Sequence, residues 1–294
     1  MTLDQISRFR RLSRAVTTQT GALDSSFLGL GRPLGVARVL NAIGQGKQDV
    51  AELRAYLQLD SGLMSRLLRT LETEGVIATK ASDLDARRRV VCLTALGEGE
   101  FSKYEELSNQ SALSVLSRYS QTEALLEAMD LVATVLGRDQ IEITVADPED
   151  PRIQTCVQAY YDEISEIFGT RFDPVLGGDP EADAMRAPRG VFLLAMSDGL
   201  PIGCCALKGQ GGALGEVKRM WVSPAARGLG LSKRLMTEIE TYAKHLGLTT
   251  LQLDTNGKLT AARRLYESSG WREIERYNDN PYAEHFFEKH LDLA

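Results

Sequence analysis

A strand that ends at a proline and runs through two glycines into a helix constrains this chain more than any other stretch. Residues 215–224 read GEVKRMWVSP and residues 225–232 read AARGLGLS. Gly228 and Gly230 allow the backbone to turn sharply and to approach a ligand closely. Apolar residues then recur at helical spacing from 231 to 246, which predicts a helix whose first N–H groups point at one place. The stretch therefore predicts either an anion-binding loop or a strand-to-helix turn that binds nothing.

Two motifs in this half of the chain resemble those of the GNAT acetyltransferases. Arg227-x-x-Gly230-x-Ser232 is similar to the family's acyl-CoA pyrophosphate loop, although Ser232 stands where the family usually has Gly or Ala. Residues 262–271, ARRLYESSGW, resemble the family's Ala-x-x-Leu-Tyr-x-x-x-Gly-Phe, with Trp in place of Phe. The resemblance covers residues 141–294. It implies an α/β acyl-CoA N-acyltransferase fold with a mixed central sheet, in the element order βααβββαβαββ.

The resemblance also implies that acetyl-CoA is the acyl donor. Its pyrophosphate is expected on the backbone N–H groups of the glycine loop, and its pantetheine arm is expected beside the preceding strand. The residues that this assigns to the donor are Met220, Trp221, Val222, Arg227, Gly228, Leu229, Gly230, Leu231 and Ser232. Where many members of the family have Asn three residues before Ala262, this chain has Leu259, and Asn256 lies out of register.

Within that resemblance, Tyr266 and Glu216 are the candidate catalytic residues. Tyrosine has an ordinary pKa of about 10 and a thiol one of about 8.5, so Tyr266 is expected to stay protonated at neutral pH and to assist the leaving thiolate. An alkylamine is only about one part in 2,500 neutral at pH 7, so a base is needed, and Glu216 is the best placed carboxylate. The alternatives are a core aromatic for Tyr266 and a plain surface carboxylate for Glu216.

Two further residues are candidates for contact with the acceptor. Lys218 and Arg219 are expected to alternate faces on their strand, so that one of them, which we take to be Arg219, binds a carboxylate in the acceptor cleft. Tyr277 belongs to a segment between the last two predicted strands that could form the opposite wall. The sequence thus predicts a small amine acceptor of amino-acid type.

The first half of the chain is predicted to be mainly helical. A basic helix over 3–18 comes first, and Asp60 or Ser61 can cap a later helix that runs to about Glu72. On that later helix the leucines and Met64 cover one face, whereas small and basic residues cover the other. The candidate DNA contacts on this polar face are Ser61, Ser65, Arg66 and Arg69. Arginine can bind guanine edges or phosphates, but an ordinary surface helix would show the same pattern.

A hairpin with an arginine-rich tip follows this helix, and Arg87 lies in the tip. Helix, helix and hairpin in this order are typical of a winged helix-turn-helix. With Leu93-Thr94-Ala95-Leu96-Gly97 after the hairpin, the region resembles the MarR regulators from about residue 5 to residue 138. The resemblance implies binding to duplex DNA as a homodimer joined through the first and last helices. The predicted domains are therefore 1–138, mainly α and MarR-like, and 141–294, the acetyltransferase.

Composition limits the possible partners. The formal net charge is −6, and by count the whole acidic excess lies after residue 140, so a DNA-binding surface is expected in the first half. No apolar run approaches the roughly 18 residues of a membrane span, and the first residues lack a secretory pattern, so a cytoplasmic protein without membrane contact is expected. The cysteines have no metal-ligand spacing, and no metal is expected.

These observations predict a transcriptional regulator fused to an acetyl-CoA-dependent N-acetyltransferase. Two other interpretations of the second domain stay open, namely an acetyl-CoA sensor without turnover and a protein lysine acetyltransferase. The acceptor, the operator sequence and any coupling between the domains lie beyond what the sequence establishes.

Overall fold

The computed structural model describes residues 3–81, 89–177 and 182–292. The chain divides into two compact units, Met1–Thr122 and Glu123–Ala294, here called the N-terminal and the C-terminal unit. This division falls before the last helix of the MarR-like region, whereas the sequence places the domain boundary after that helix. Each unit is described by itself.

The N-terminal unit is helical apart from one hairpin, as the sequence predicts. The helix predicted over 3–18 and the predicted end of the later helix at about Glu72 each agree with the structure to within one residue. The elements of this unit follow in chain order. They are α1 (Leu3–Gln19), α2 (Leu34–Gly44), α3 (Val50–Leu57), α4 (Ser61–Thr73), β1 (Ile77–Ala81), β2 (Arg89–Leu93) and α5 (Ala95–Leu116). The next helix, α6 (Thr122–Leu136), begins at the division and belongs almost wholly to the C-terminal unit.

Side-chain caps explain where three of these helices begin. Asp49 accepts hydrogen bonds from two backbone N–H groups at the start of α3, and Asp60 accepts one from Leu63 N at 2.9 Å at the start of α4. Thr94 caps α5 in the same way. The buried sides of α2, α3 and α4 then pack against the hairpin around Leu40, Leu53, Met64, Leu71 and Val91. Helix α4 is thereby fixed with its opposite face in solvent.

The C-terminal unit is built on a seven-stranded mixed sheet. In chain order its elements after α6 are β3 (Glu142–Val145), α7 (Pro151–Phe168), β4 (Gly190–Ser197), β5 (Leu200–Gly211), β6 (Leu214–Val222), α8 (Leu231–His245), β7 (Thr250–Thr255), α9 (Thr260–Ser268), β8 (Arg272–Ile274) and β9 (His285–His290). The strand order is β3-β4-β5-β6-β7-β9-β8, and only β6 and β7 among these neighbours pair in parallel. The mixed α/β fold that the sequence predicts is confirmed.

Alternation along the central strands gives the sheet two apolar faces. On β5, Cys205 and Leu207 face the cluster that holds Leu235 and Ile239 of α8. Cys204 and Ala206 face Ile153, Cys156 and Val157 of α7. The helices therefore cover the sheet on both sides, and adjacent Cys204 and Cys205 lie on opposite faces, as a strand requires.

One part of the predicted element order differs from the structure. The family order has two helices between its first two strands, but the described residues between β3 and β4 contain α7 and only a short 3-10 turn, Ala182–Met185. Helix α7 ends at Gly169, which has a φ of 72°, a left-handed conformation that stops a helix. The following residues, RFDPVLGG, include Pro174 and two glycines, which do not favour a second helix.

Candidate active site and nucleic-acid interface

The glycine loop enters α8 without a side-chain cap. Gly228 and Gly230 both have a φ of 78°, and Gly230 is the N-cap residue of the helix. The first helical backbone bond runs from Arg234 N to Gly230 O at 3.1 Å. The N–H groups of Leu231, Ser232 and Lys233 therefore have no acceptor within the helix.

Space in front of this loop suits an anion. A Cβ added at Gly228 or at Gly230 would meet no atom within 4 Å. The Arg227 guanidinium does not occupy the space, because it donates to Glu163 at 2.6 and 2.7 Å and to Val222 O at 3.1 Å. Open space, free N–H groups and the positive end of the helix dipole fit a pyrophosphate. Among the residues expected to bind the donor, Arg227 to Ser232 form this loop.

A cleft opens where β6 and β7 part. Their parallel pairing extends only from Leu214↔Thr250 to Glu216↔Gln252, although β6 continues to Val222 and β7 to Thr255. Beyond Glu216 the edge of β6 that faces β7 therefore has no partner strand among the described residues. Met220 lines the cleft, and Trp221 Nε1 donates to Glu163 at 2.8 Å. The unpaired backbone of this edge is the kind of surface on which an extended ligand arm can bind.

A bulge changes the expected alternation on β6. Arg219 has a φ of 52°, and the register of β5 with β6 shifts so that Cys204 pairs with Trp221 but Ala206 with Lys218. Two residues of β6 thus stand opposite Cys205, and Lys218 and Arg219 both line the cleft instead of pointing to opposite faces. The expectation of strict alternation is wrong at this point. The Arg219 guanidinium lies 5.7 Å from the ring centre of Phe192.

Glu216 lies in a buried polar network behind the cleft wall. Its Oε1 accepts from the Tyr277 hydroxyl at 3.0 Å and lies 2.9 Å from Lys218 Nζ, and its Oε2 accepts from Gln210 Nε2 at 2.9 Å. Neither Glu216 nor Tyr277 is among the cleft-lining residues. Tyr277 is thus engaged with the predicted base, and burial together with the Glu216 charge raises the pKa of its hydroxyl.

Lys218 joins Glu216 to a second carboxylate, Asp254, at the end of β7. Lys218 Nζ lies 3.0 Å from Asp254 Oδ2, and the side chains of Glu216, Lys218 and Asp254 are 5%, 10% and 8% exposed. Burial lowers the pKa of the Lys218 ammonium, but the two carboxylates raise it more, and the net shift is upward. Asp254 also accepts from Asn278 at 2.6 Å and from Asn280 at 3.2 Å.

Sequence reasoning missed the Lys218–Asp254 pair. Unlike Glu216, both of these residues line the cleft. Two signals could have found them: Glu216 and Lys218 lie two apart on one strand and so share a face, and Asp254 is a carboxylate near the end of an otherwise apolar buried strand. The parallel pairing of β6 with β7 then brings Asp254 close to Glu216 and Lys218.

Tyr266 lies between the core and the cleft. Its ring contacts those of Trp271 and Phe287 at centroid distances of 6.1 and 5.7 Å, yet it also lines the cleft with Leu259 and Asn256. No described group accepts a hydrogen bond from its hydroxyl. Burial raises the pKa of Tyr266, so its hydroxyl is protonated throughout the neutral range. Asn256 itself is occupied as a structural residue, since its side chain donates to Tyr282 O at 2.7 Å and accepts from Lys258 N at 2.9 Å.

In the N-terminal unit the predicted DNA contacts share one exposed face. Ser61, Ser65, Arg66 and Arg69 are all exposed on α4, whereas Met64, Leu68 and Leu71 are buried on the other side. No described carboxylate forms an ion pair with Arg66 or Arg69. Val91 N donates to Gln48 O at 2.8 Å and Asp49 bridges to Val90, so the hairpin is tied to the segment before α3. Arg87 lies outside the described residues.

The described residues were also compared with the requirements for a membrane-spanning helix and for a metal site. None of the helices within 3–81, 89–177 and 182–292 combines the length and the apolar character that crossing a membrane requires. Over the same ranges, no group of three or more His, Cys, Asp or Glu side chains is arranged to hold a metal ion.

Models of two protein families match the chain. The model of the MarR family matches residues 28–88, which include α2, α3, α4 and β1. The model of the acetyltransferase (GNAT) family matches residues 156–271, which include most of the cleft-lining residues, the glycine loop and Tyr266. The two matches lie in the order that the sequence motifs predict.

Individual proteins are similar to the second half. An uncharacterized N-acetyltransferase of Schizosaccharomyces pombe is 40% identical over 108 residues, which are 35% of this chain and 66% of that protein. An IAA acetyltransferase of Azospirillum brasilense is 31% identical over 132 residues, which are 45% of this chain and 85% of that protein. The solved structure of the PaiA N-acetyltransferase from Thermoplasma acidophilum in complex with coenzyme A is 18% identical, with a TM-score of 0.41 over 51% of this chain and 98% of that one. The chain thus belongs to the GNAT family of N-acetyltransferases, and residues 28–88, ahead of the acetyltransferase fold, match the MarR family model.

Proposed function

We propose that the C-terminal unit transfers an acetyl group from acetyl-CoA to the amine of a small acceptor of amino-acid type. The observation that carries this proposal is the cleft between β6 and β7, which holds an unpaired strand edge, the Tyr266 ring and the Asp254 carboxylate. The uncapped start of α8 supplies the N–H groups for the pyrophosphate of the donor. The pantetheine arm binds along residues 220–222.

The reaction needs one proton donor and one proton acceptor. The amine nitrogen forms a bond to the acetyl carbonyl carbon, the bond from that carbon to sulfur breaks, the amine loses a proton and the thiolate gains one. Tyr266 donates the proton to sulfur, because its hydroxyl lies at the cleft and is protonated at neutral pH. A backbone N–H of the unpaired β6 edge stabilises the oxyanion in between.

For the base we propose Asp254 in place of Glu216. Both carboxylates accept hydrogen bonds from neighbouring side chains, but Asp254 lines the cleft, whereas Glu216 does not. The role that we give to Glu216 is to hold the Lys218 ammonium beside Asp254. Asp254 then binds the acceptor ammonium and takes up its proton, directly or through water.

The amino-acid character of the acceptor rests on two opposite charges at the cleft. Asp254 suits the ammonium group of an amino acid, and Arg219, which the bulge turns toward the cleft, suits its carboxylate. An Arg to carboxylate contact can form two parallel hydrogen bonds, which fixes the orientation of the amine relative to the thioester.

For the N-terminal unit we propose binding to duplex DNA, with α4 in the major groove. Its exposed serines and arginines are free of described carboxylates, and the Ser and Gly positions at the start of α4 allow a close approach to base edges. Together the two units make the chain a transcriptional regulator with its own acetyltransferase.

We further propose that the chain acts on DNA as a homodimer. Helix α1 buries none of its residues in the single chain, and Leu3, Phe9 and Val16 are exposed on it. Helix α6 exposes a second apolar set, namely Leu126, Met129, Leu131, Val135 and Leu136. Apolar helix faces of this kind are usually covered by a partner, and a MarR dimer joined through its first and last helices would cover them.

Release of free thiol from acetyl-CoA tests the enzymatic proposal. The full chain is incubated with acetyl-CoA and a panel of amino acids, other primary amines and lysine-containing peptides, with an amine-free blank. We expect at least one amine to raise the rate far above the blank. Binding of acetyl-CoA without thiol release for any amine would instead identify a sensor, and release only with lysine-containing peptides would identify a protein acetyltransferase.

A further inference from the structure

Five half-buried aromatic side chains form one wall of the cleft. This aromatic wall consists of Tyr160, Tyr161, Phe168, Phe172 and Tyr282. The rings contact one another in series, with centroid distances of 5.4 Å for Tyr161 to Phe172, 4.8 Å for Phe172 to Tyr282 and 5.8 Å for Tyr282 to Phe168. None of the five is fully buried, so each residue keeps part of its surface exposed in the single chain.

The aromatic wall is assembled from three separate parts of the chain. Tyr160, Tyr161 and Phe168 lie on α7, Phe172 follows it, and Tyr282 precedes β9. Partly exposed aromatic surface in a concave site is stabilised when an apolar group covers it. The wall therefore favours a ligand group that is itself aromatic or large and apolar.

Asn280 links the aromatic wall to Asp254, the carboxylate that we assign to the ammonium group. Tyr282 N donates to Asn280 Oδ1 at 3.0 Å, and Asn280 Nδ2 donates to Asp254 Oδ1 at 3.2 Å. An amine held at Asp254 thus has its carbon substituent within reach of Tyr282 and of the ring that contacts it, Phe172. Two carboxylates against one lysine also leave the network of Glu216, Lys218 and Asp254 with one unbalanced negative charge, which favours a cation there.

From this arrangement we infer that the acceptor amine carries an aromatic group, as in an aromatic amino acid or an arylalkylamine. The inference rests on the proposed acetyl transfer and names its substrate class. The polar end of the cleft binds the ammonium, and the aromatic wall stacks on the ring of the substituent. The α-carboxylate contact with Arg219 would distinguish an amino acid from a simple amine, but the ring preference holds for both.

Two matched pairs of acceptors test the inference with the wild-type chain. Phenylalanine and alanine differ only by a phenyl ring, and so do 2-phenylethylamine and ethylamine. Burying a phenyl ring is worth roughly a tenfold change or more in an equilibrium constant. We expect kcat/KM, measured by thiol release, to be at least about tenfold higher for the phenyl member of each pair.

Variants of the aromatic wall test whether the acceptor or the pantetheine arm of the donor contacts it. Phe172→Ala should lower the phenyl-to-alkyl ratio several-fold and leave the Kd of acetyl-CoA close to that of wild type. Tyr119→Ala, which removes an exposed ring from the N-terminal unit, is the matched control and should leave the ratio unchanged. Phe168→Leu provides a second, milder truncation of the wall with the same expected direction.

Three outcomes would overturn the inference. A phenyl-to-alkyl ratio near one, with clear thiol release, would overturn it while leaving the acetyl transfer intact. A Phe172→Ala variant with weaker acetyl-CoA binding and an unchanged ratio would assign the wall to the donor. Absence of thiol release with every amine would overturn the proposed function and this inference together.

Discussion

Tyr266 combines a packing role with a proposed chemical one. Trp271 and Phe287 hold its ring, and Gly270, with a φ of 82°, allows the chain to turn back so that Trp271 N donates to Tyr266 O at 3.3 Å. The rigid ring leaves the hydroxyl at the cleft with little freedom to rotate away. Such a fixed donor loses little entropy when it assists a leaving group.

Removal of this hydroxyl should affect turnover far more than folding. Tyr266→Phe keeps the ring and its contacts, so we expect unfolding and acetyl-CoA binding to stay near wild type. General-acid assistance typically contributes about 10²- to 10⁴-fold, so kcat should fall by that factor, about 3 to 5 kcal/mol in barrier. Steady-state thiol release measures the change. If kcat stays within about threefold of wild type, Tyr266 is a core aromatic only.

Lys218 should stabilise the C-terminal unit in a pH-dependent way. Lys218→Met leaves Glu216 and Asp254 buried without their cation, and the loss of one partner from a buried pair costs about 3 to 5 kcal/mol. Both tryptophans of the chain, Trp221 and Trp271, lie in this unit, so their fluorescence in urea reports its unfolding. We expect the variant to unfold at clearly lower urea at pH 7.

The pH dependence of this difference follows from the raised pKa of Lys218. A folded-state pKa above the unfolded value means that the stabilisation is complete below the ordinary lysine pKa of about 10.4 and is lost as pH rises through the folded value. The gap between wild type and Lys218→Met should therefore be constant from pH 7 to 9 and begin to shrink above about 10.4. A gap that already closes between pH 7 and 9 would show that the pKa is lowered.

At the scale of elements, the sequence predicts structure that depends on neighbouring residues better than contacts that depend on the pairing of distant strands. The glycine loop, the amphipathic helices and the paired strands of the hairpin after α4 follow from neighbouring residues, and the structure confirms these elements. The network of Glu216, Lys218, Asp254 and Asn278 depends on the pairing of β6 with β7 and of β7 with β9, which spacing alone does not give. The bulge at Arg219 could not be predicted from the sequence either, because its positive φ occurs at an arginine and not at a glycine or a typical turn residue.

Helix α4 gives a prediction of its own. Arg66→Ala with Arg69→Ala should weaken binding to a selected duplex by about 1 to 3 kcal/mol for each base that these arginines recognise. Arg264→Ala with Arg272→Ala removes the same charge from exposed positions of the C-terminal unit and is the control. Fluorescence anisotropy at fixed salt measures both. Equal effects of the two double variants would indicate general electrostatics rather than recognition by α4.

At the scale of the whole molecule, each unit has its own hydrophobic core and its own proposed ligand. The core around Leu40 and Leu53 supports α4, whereas the two clusters on either side of the large sheet support the cleft and the glycine loop. The sequence predicted both folds and their order, because each carries motifs of its own. It did not predict the aromatic wall, because Tyr282 lies more than 100 positions after the other four aromatic residues.

Calorimetry of acetyl-CoA binding tests the central claim, that the glycine loop holds the pyrophosphate of an acyl donor. Gly230→Asp places a negative charge at the N-cap of α8, at a residue whose φ is 78° and whose added Cβ would meet no atom within 4 Å. Gly199→Asp is the matched control, since Gly199 has a φ of 85°, lies exposed in the β4–β5 turn and also meets no atom within 4 Å. We expect wild type and Gly199→Asp to bind acetyl-CoA with similar affinity and Gly230→Asp to bind at least about tenfold more weakly, a loss of about 1.4 kcal/mol or more. Equal affinity for all three proteins would contradict the assignment of this loop to the donor.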